Sequence, residues 1–203
     1  MAKWHGFGRC KTRLSKDIGK SNSTKVQSVM TNHTISVAKS LKKFKFIDIS
    51  IAISGLGEKN CQRWSKKLGI KNFNLQGKGC LGEKMKRQII TNKKFCNQNK
   101  IKNIIFIGTD LPDLCHLDLL NTMKELKQND LILGPSNDGG YWLIGLSEKV
   151  ISKYLYLPFI NISWSKENVL QKTIDNFAFT KLKYKFLDKK IDIDTIIDIE
   201  NRK

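Results

Sequence analysis

One apolar run that ends in acidic residues constrains this chain most. Residues 102–107 read Lys-Asn-Ile-Ile-Phe-Ile, and Gly-Thr-Asp-Leu-Pro-Asp follows at 108–113. An apolar run without alternation is typical of a strand that is buried on both faces in a parallel sheet. Ligands of open α/β sheets bind just beyond the carboxyl ends of such strands. Asp110 is therefore predicted at the mouth of a cleft, where its carboxylate can hold Mg²⁺ against ligand phosphates. Capping of a helix that starts near Leu114 is the alternative.

The spacing of apolar residues predicts strands and helices in alternation. In segment 24–43 the apolar residues, among them Val26, Val29 and Met30, recur close to the helical period, and segment 46–53 alternates like a strand. Such alternation indicates an α/β fold with a mostly parallel sheet. No linker or repeat divides the sequence, so we expect a single domain over residues 1–203.

The start of the chain departs from this pattern. It opens almost inside a glycine-containing loop, and only Met1-Ala2 precede that region as a possible strand end. The first strand of the fold is therefore expected to be missing or truncated, and a true start upstream of Met1 would supply it.

The charge and composition narrow the possible partners. The net charge is +19, but the lysines are spread along the chain and accompany many Asn and Ile residues. The codons of Lys, Asn and Ile are all AT-rich, so the base composition of the genome could produce this excess of lysine without selection for a partner. The electric field of a strongly basic protein still favours anionic small substrates. No aromatic and basic stacking motif supports a dedicated nucleic-acid partner. The five cysteines lack the spacing of a zinc site or a disulfide framework.

Nothing in the sequence indicates a membrane protein. No apolar run approaches the roughly 18–20 residues that cross a bilayer. The N-terminus lacks the apolar core of a signal peptide. We therefore expect a cytoplasmic protein without a membrane partner, and the sequence leaves its oligomeric state open.

The N-terminal loop combines glycines with cations. It reads Gly6-Phe-Gly-Arg-Cys-Lys-Thr-Arg13. Glycines let backbone N–H groups approach an anion, and Lys and Arg can neutralise a polyphosphate. The loop is neither a Walker A motif nor a complete G-x-G-x-x-G motif. A phosphate-binding loop and a flexible basic terminus therefore both remain open.

Three further segments carry candidate residues. Asp138-Gly139-Gly140-Tyr141 precedes an apolar strand, and paired glycines permit either a close backbone approach to a ligand or a simple turn. Asp194 could join Asp110 on a divalent ion or cap the helix predicted from Thr195. The glycine-rich segment 76–82 leads into a helix, whose N-terminal N–H groups could meet an anion.

Taken together and in order, the motifs resemble a known family, the bacterial radical-SAM/selenodomain-associated transferases. These are GT-A-like proteins, many of which are labelled glycosyltransferases. The resemblance spans nearly the whole chain and rests on the following motifs: Gly8–Leu14, Leu81–Met85, Ile107–Leu114, Gly134-Pro135 with Asp138–Tyr141, Trp164-Ser165, and Asp192–Thr195.

The resemblance implies a three-layer, Rossmann-like GT-A fold, that of the nucleotide-diphospho-sugar transferases, related to the guanylyltransferases of molybdenum-cofactor and coenzyme F420 synthesis. It implies that Asp110 and Asp194 hold Mg²⁺ or Mn²⁺, and that Asp110 and Asp138 take part in catalysis. Asp138 would face the second substrate together with the Gly139–Tyr141 segment. The residues expected to bind the nucleotide or its co-substrate are Gly8, Arg9, Lys11, Thr12, Arg13, Gly82, Glu83, Gly139, Gly140 and Tyr141.

The activity expected from this resemblance is metal-dependent transfer from an activated nucleotide. The leading candidate is a nucleotide-sugar glycosyltransferase with a small-molecule acceptor. Nucleotidyl transfer to a phosphorylated small molecule is the first alternative. A non-catalytic nucleotide- or RNA-binding protein on a decayed transferase fold is the second. Relatives usually carry Pro-Glu-Asp where this chain has Ile-Ile-Asp after Thr195, so we expect a weaker helix start there.

Overall fold

The computed structural model describes residues 1–44, 46–95, 102–164 and 166–200. The chain divides into two compact units. Unit 1 comprises Met1–Leu75, Gly108–His116 and Ile191–Lys203, and unit 2 comprises Gln76–Ile107 and Leu117–Lys190. The single domain expected for residues 1–203 stays a prediction.

Strands and helices alternate along most of the described chain. The strands are β1 (Ala2–Lys3), β2 (Ser50–Ser54), β3 (Asn72–Leu75), β4 (Asn103–Ile107), β5 (Leu131–Pro135), β6 (Tyr141–Ser147) and β7 (Tyr184–Phe186). The α-helices are α1 (Leu14–Ser40), α2 (Glu58–Lys67), α3 (Leu81–Phe95), α4 (His116–Glu125), α5 (Glu148–Lys153), α6 (Val169–Ala178) and α7 (Ile196–Glu200). Short 3-10 helices cover Leu41–Lys43 and Leu157–Phe159. None of the helices within the described ranges is long and apolar enough to cross a membrane.

Unit 1 contains a parallel sheet with the strand order β1-β2-β3. Ala2 pairs with Ile53, and Ile53 pairs in turn with Leu75. The first strand is therefore present, but it extends over only two residues. The alternation predicted over 46–53 forms a strand only from Ser50 onward.

Helix α1 begins at Leu14, ten residues before the predicted start, and it is kinked at Gly19, where φ is +79°. The helix itself is confirmed, but its predicted apolar face is wrong in part because Val29 is 66% exposed. The buried face is largely polar. It carries Ser23, Gln27, Met30, Thr31, Thr34 and Ile35.

Unit 2 contains a mixed sheet with the strand order β4-β6-β5-β7. Strand β6 pairs antiparallel with β4 and β5, and β5 pairs parallel with β7. Strand β4 is the apolar run of residues 102–107, and its residues from Ile104 to Ile107 are only partly buried. A parallel strand buried on both faces was therefore the wrong prediction for this run, since its pairing with β6 is antiparallel.

Candidate functional site

The loop before α1 is held in shape by local backbone contacts. Gly8 has φ +68° and Lys11 has φ +48°, so the chain turns twice through the left-handed region. The N–H of Arg9 donates to the carbonyl of Gly6 at 2.9 Å. Arg9 is exposed, as are Thr12 and Arg13. These three residues, all predicted to bind the nucleotide or its co-substrate, are therefore accessible to an anion.

Lys11 turns inward instead. Its Nζ lies 2.8 Å from Asp110 Oδ1 and 2.9 Å from Asp194 Oδ1, and it also donates to the carbonyl oxygen of Ile193. The side chain is only 3% exposed. Burial by itself would lower the pKa of Lys11, but the carboxylates of Asp110 and Asp194 outweigh it and raise that pKa. Lys11 is thus an ammonium ion held between two carboxylates that lie 84 residues apart in the sequence.

The Asp110 carboxylate is oriented from helix α1. Gln27 Nε2 lies 3.1 Å from Asp110 Oδ1 and 3.4 Å from Thr109 Oγ1, and Gln27 is only 4% exposed. The alternative role of Asp110 as a helix cap does not fit, because α4 begins only at His116 and a cap lies directly before the first helical residue.

Asp194 is brought to the site by its buried neighbour. Ile193 packs in an apolar cluster with Leu14 and Met30. Its N–H also donates to the carbonyl of Asp110 at 3.0 Å. Because side chains alternate along an extended segment, burial of Ile193 leaves the carboxylate of Asp194 at the surface, where its side chain is 45% exposed.

Helix α7 is capped by Asp198. The Asp198 carboxylate accepts hydrogen bonds from the N–H groups of Asp194 and Thr195, at 2.9 and 2.7 Å, and from the Thr195 hydroxyl. The bond from the Thr195 N–H is one half of a capping box, in which the side chain at the third helical position accepts the N–H of the residue before the helix. Burial would raise the pKa of Asp198, but these donors outweigh it and lower that pKa. The cap thus comes from Asp198, and the Asp194 side chain bonds to Lys11.

The two carboxylates fit part of a divalent-cation site. Two oxygen ligands from the protein, completed by phosphates and water, are a common arrangement for Mg²⁺. The Oδ1 atoms of Asp110 and Asp194 already converge on one cationic atom, and the Asp110 side chain is 40% exposed. No group of three or more His, Cys, Asp or Glu side chains in the described ranges could hold a metal ion. A bound metal would therefore take two carboxylate ligands from this unit.

In unit 2, the predicted Asp138 loop is organised by its own carboxylate. Asp138 Oδ1 accepts the N–H of Gly140 at 3.0 Å and also bonds to the Ser136 hydroxyl. Gly139 has φ +79°, and a Cβ placed there would lie 1.8 Å from the backbone oxygen of Glu167. Gly139 is thus required by the turn and by a close approach of the chain itself. Asp138 remains exposed.

Three other predicted residues of unit 2, Gly82, Glu83 and Tyr141, have structural contacts. A Cβ on Gly82 would lie 2.7 Å from the ring of Trp164, whose centroid is 6.4 Å from that of Tyr141. Burial raises the pKa of the Tyr141 phenol. The Glu83 carboxylate accepts the N–H of Cys80 at 2.8 Å and so caps α3. Ser165, the second residue of the Trp164-Ser165 motif, lies outside the described residues.

The predicted site residues therefore fall into two sets. Those in unit 1 are Gly8, Arg9, Lys11, Thr12, Arg13, Asp110 and Asp194, and those in unit 2 are Gly82, Glu83, Asp138, Gly139, Gly140 and Tyr141. The sequence analysis missed Gln27 and Asp198. A signal for Gln27 existed, because Ser23, Gln27 and Thr31 recur every four residues and so share one face of α1.

Comparisons with known proteins identify the fold. The chain is similar to the structure of a protein from Desulfovibrio desulfuricans G20 that is provisionally named a nucleotide-diphospho-sugar transferase, with 23% identity and a TM-score of 0.80 over 98% of this chain and 81% of the other. It is also similar to a 4-diphosphocytidyl-2C-methyl-D-erythritol synthase from Anaerococcus prevotii DSM 20548, with 14% identity and a TM-score of 0.56 over 98% and 93% of the two chains.

A third similar structure is a CMP:2-keto-3-deoxy-manno-octonic acid synthetase in complex with CTP, with 11% identity and a TM-score of 0.57 over 99% and 93% of the two chains. These likenesses confirm the predicted α/β fold of the nucleotide-diphospho-sugar transferases. No curated protein matched the sequence.

A family model matches residues 37–166, a range that includes Asp110 and Asp138 and ends before Asp194. Its description is "Uncharacterized protein conserved in bacteria". The match covers more than half of the chain, so this protein belongs to the DUF2064 family.

Proposed function

We propose that the protein is a Mg²⁺- or Mn²⁺-dependent transferase that uses an activated nucleotide, with a nucleotide sugar as donor and a small molecule as acceptor. The observation that carries this proposal is the convergence of Asp110 and Asp194 on one cationic atom. Two carboxylates that are partly exposed beside a basic loop form a place where a cation and a diphosphate can be held together.

The roles of the residues follow from their chemistry. Asp110 and Asp194 would hold the divalent ion, which would neutralise the charge of the diphosphate leaving group. Arg9 and Arg13 are exposed in the loop and would contact the phosphate oxygens, which guanidinium groups can bind in pairs. Transfer from a nucleotide depends mostly on positioning and charge neutralisation. This chemistry therefore needs no nucleophile from the protein.

Unit 2 would bind the second substrate. The exposed Asp138 carboxylate lies on a loop whose turn is fixed by its own hydrogen bonds. A preorganised carboxylate can accept a hydrogen bond from an acceptor hydroxyl and can serve as its general base. Gly139, Gly140 and Tyr141 would shape the binding surface of this loop.

Nucleotidyl transfer is the second candidate. Two of the similar structures are named for cytidylyl chemistry, and one of them contains CTP. The same cations would then hold a triphosphate, and pyrophosphate would leave. Product analysis separates the two reactions, because glycosyl transfer releases a nucleoside diphosphate and nucleotidyl transfer releases pyrophosphate. Release of neither product in the presence of candidate acceptors would count against both.

Asp110→Asn tests the metal-dependent site. Calorimetry of the wild-type protein against a panel of nucleotides and nucleotide sugars should find binding that needs Mg²⁺. The variant removes one negative charge at nearly constant shape, so we expect the Mg²⁺-dependent part of the affinity to fall at least about tenfold. Asp113→Asn is the matched control, because Asp113 is an exposed carboxylate three residues along. Equal affinity in Asp110→Asn and wild type would remove Asp110 from this role.

A further inference from the structure

Lys11 is in a position that its predicted role does not explain. An ammonium group has three protons to donate. In this structure they are directed to Asp110 Oδ1, Asp194 Oδ1 and the carbonyl oxygen of Ile193. With its side chain only 3% exposed, Lys11 has no donor left for a phosphate while it holds these partners. The same residue cannot bind the carboxylates and the nucleotide at once.

A divalent ion would compete for the same atoms. The Oδ1 oxygens that bond to Lys11 are the ones that converge, so they are the natural ligands of a metal at this place. A metal ion and an ammonium ion in contact with the same two oxygens would repel each other at close range. One of them must leave. Lys is suited to leave because its charge is compact and its stem has four flexible carbons.

We propose that Lys11 is an exchangeable counter-ion: it holds Asp110 and Asp194 together in the free protein, and moves to the nucleotide phosphates when a divalent ion takes its place. This inference rests on the proposed function for the identity of the incoming ligands. The exchange of Lys11 for a metal ion makes metal binding and nucleotide binding mutually dependent. The metal releases the cation that the phosphates need, and the phosphates stabilise Lys11 outside the carboxylate pair.

Lys11→Met tests the exchange, because its two effects have opposite signs. Without the competing ammonium, the affinity for Mn²⁺ alone should rise about tenfold, as measured by electron paramagnetic resonance or calorimetry in the absence of nucleotide. The affinity for the Mg²⁺ complex of the nucleotide should fall about tenfold, since a phosphate contact is lost. Lys16→Met, a change at an exposed lysine of α1, should alter neither affinity.

A thermal measurement provides a second readout. Two unneutralised carboxylates destabilise the metal-free variant, so Mn²⁺ should raise the melting temperature of Lys11→Met more than that of wild type. In Lys11→Gln, which retains a hydrogen-bond donor, Mn²⁺ should also raise the melting temperature more than in wild type. If both variants fail to fold, nuclear magnetic resonance of the wild type decides. The ammonium signal of Lys11 should shift when Mg²⁺ and nucleotide are added together.

Each outcome bears on the proposal. Unchanged or weaker Mn²⁺ binding in the Lys11 variants would overturn it, because it would show that Lys11 does not compete with a divalent ion for the two carboxylates. An unshifted ammonium signal in the fully liganded wild type would do the same. Absence of any nucleotide binding by wild type would instead contradict the proposed function, and the Mn²⁺ titrations would still decide the exchange.

Discussion

A buried amide determines where the Asp110 carboxylate points. Gln27 donates to Asp110 Oδ1 from the face of α1, and the hydroxyl groups of Thr31 and Thr109 lie 3.5 and 3.4 Å from the same nitrogen. A hydrogen bond to a charged group contributes more than one between neutral groups. Because Asp110 is also held by Lys11, its orientation is fixed from two sides. Gln27 is therefore a positioning residue for the proposed metal ligand.

Gln27→Leu tests this role. The substitution keeps a side chain of similar size but removes the donor, so we expect a loss of roughly 1–2 kcal/mol in the free energy of unfolding, measured by urea denaturation. A merely structural role would leave metal affinity unchanged well below the melting temperature. We expect Mn²⁺ affinity at 10 °C to fall severalfold instead.

Asn22→Leu is the control on the same helix, because the Asn22 amide bonds only to the carbonyl of Ile18 among the described partners. It should leave Mn²⁺ affinity at the wild-type value. A Gln27→Leu protein that is less stable but binds Mn²⁺ as well as wild type would reduce Gln27 to a packing residue.

The residue scale also shows what a sequence can predict. Asp110 and Asp194 were paired by resemblance and by the oxygen preference of Mg²⁺, and the structure places both beside one cation. Their metal binding remains a prediction. Lys11 was expected to contact phosphate, and its contact with the carboxylates could not be predicted, since it depends on three segments meeting in space. Gln27 was missed because polar residues on a helix are normally assigned to its exposed face.

Among the elements, the Asp138 loop depends most on a single backbone conformation. Gly139 lies in the left-handed region, and its carbonyl accepts the N–H of Leu170 at 2.9 Å. The backbone of Glu167 approaches so closely that no side chain fits at position 139. The start of α6 and the Asp138 loop are therefore packed against each other through this glycine.

Gly139→Ala should be strongly destabilising. The added Cβ would both strain the positive φ and overlap backbone atoms, which cannot rotate away like a side chain. We expect a loss of more than about 2 kcal/mol in the free energy of unfolding, measured by urea denaturation.

Gly57→Ala is the matched control, since φ is −77° there and a Cβ would meet no atom within 4 Å. It should cost less than about 1 kcal/mol, the loss expected when Ala replaces a residue at a helix N-cap. Similar losses in the two variants would contradict the close approach at Gly139.

Elements in which apolar residues recur with a clear period could be predicted from the sequence. Features that depend on a neighbouring strand or on a capping side chain could not. The strand predicted over 46–53 is present from Ser50 onward. Of the helix predicted over 24–43, residues 24–40 lie in α1 and Leu41–Lys43 form a 3-10 helix. Strand β4 was misjudged because an apolar run does not reveal the direction of the neighbouring strand. At α7, the expected weak helix start overlooked Asp198, which compensates through its capping bonds.

At the scale of the whole molecule, the excess of positive charge is the dominant feature. The chain carries 37 Lys and Arg residues against 18 Asp and Glu residues. A field of this size attracts any polyanion, so affinity for RNA alone would not identify a nucleic-acid-binding protein. Under the proposed function, specific binding of a small nucleotide would depend instead on the carboxylate pair and Lys11. The salt dependence of the affinity and the effect of mutations distinguish non-specific binding of a polyanion from specific binding of a nucleotide.

We expect RNA binding by this protein to be non-specific. The affinity for a single-stranded poly(U) oligonucleotide should fall steeply and linearly in a plot of log affinity against log salt, because each neutralised phosphate releases counter-ions with a slope of about −0.7 per contact. The Asp110→Asn variant should bind the RNA as wild type does, since it loses one negative charge among many positive ones. Its Mg²⁺-dependent nucleotide affinity should nevertheless fall. If RNA binding instead resists salt, and no nucleotide raises the melting temperature, the charge serves a nucleic-acid partner and the protein is a binding protein on a transferase fold.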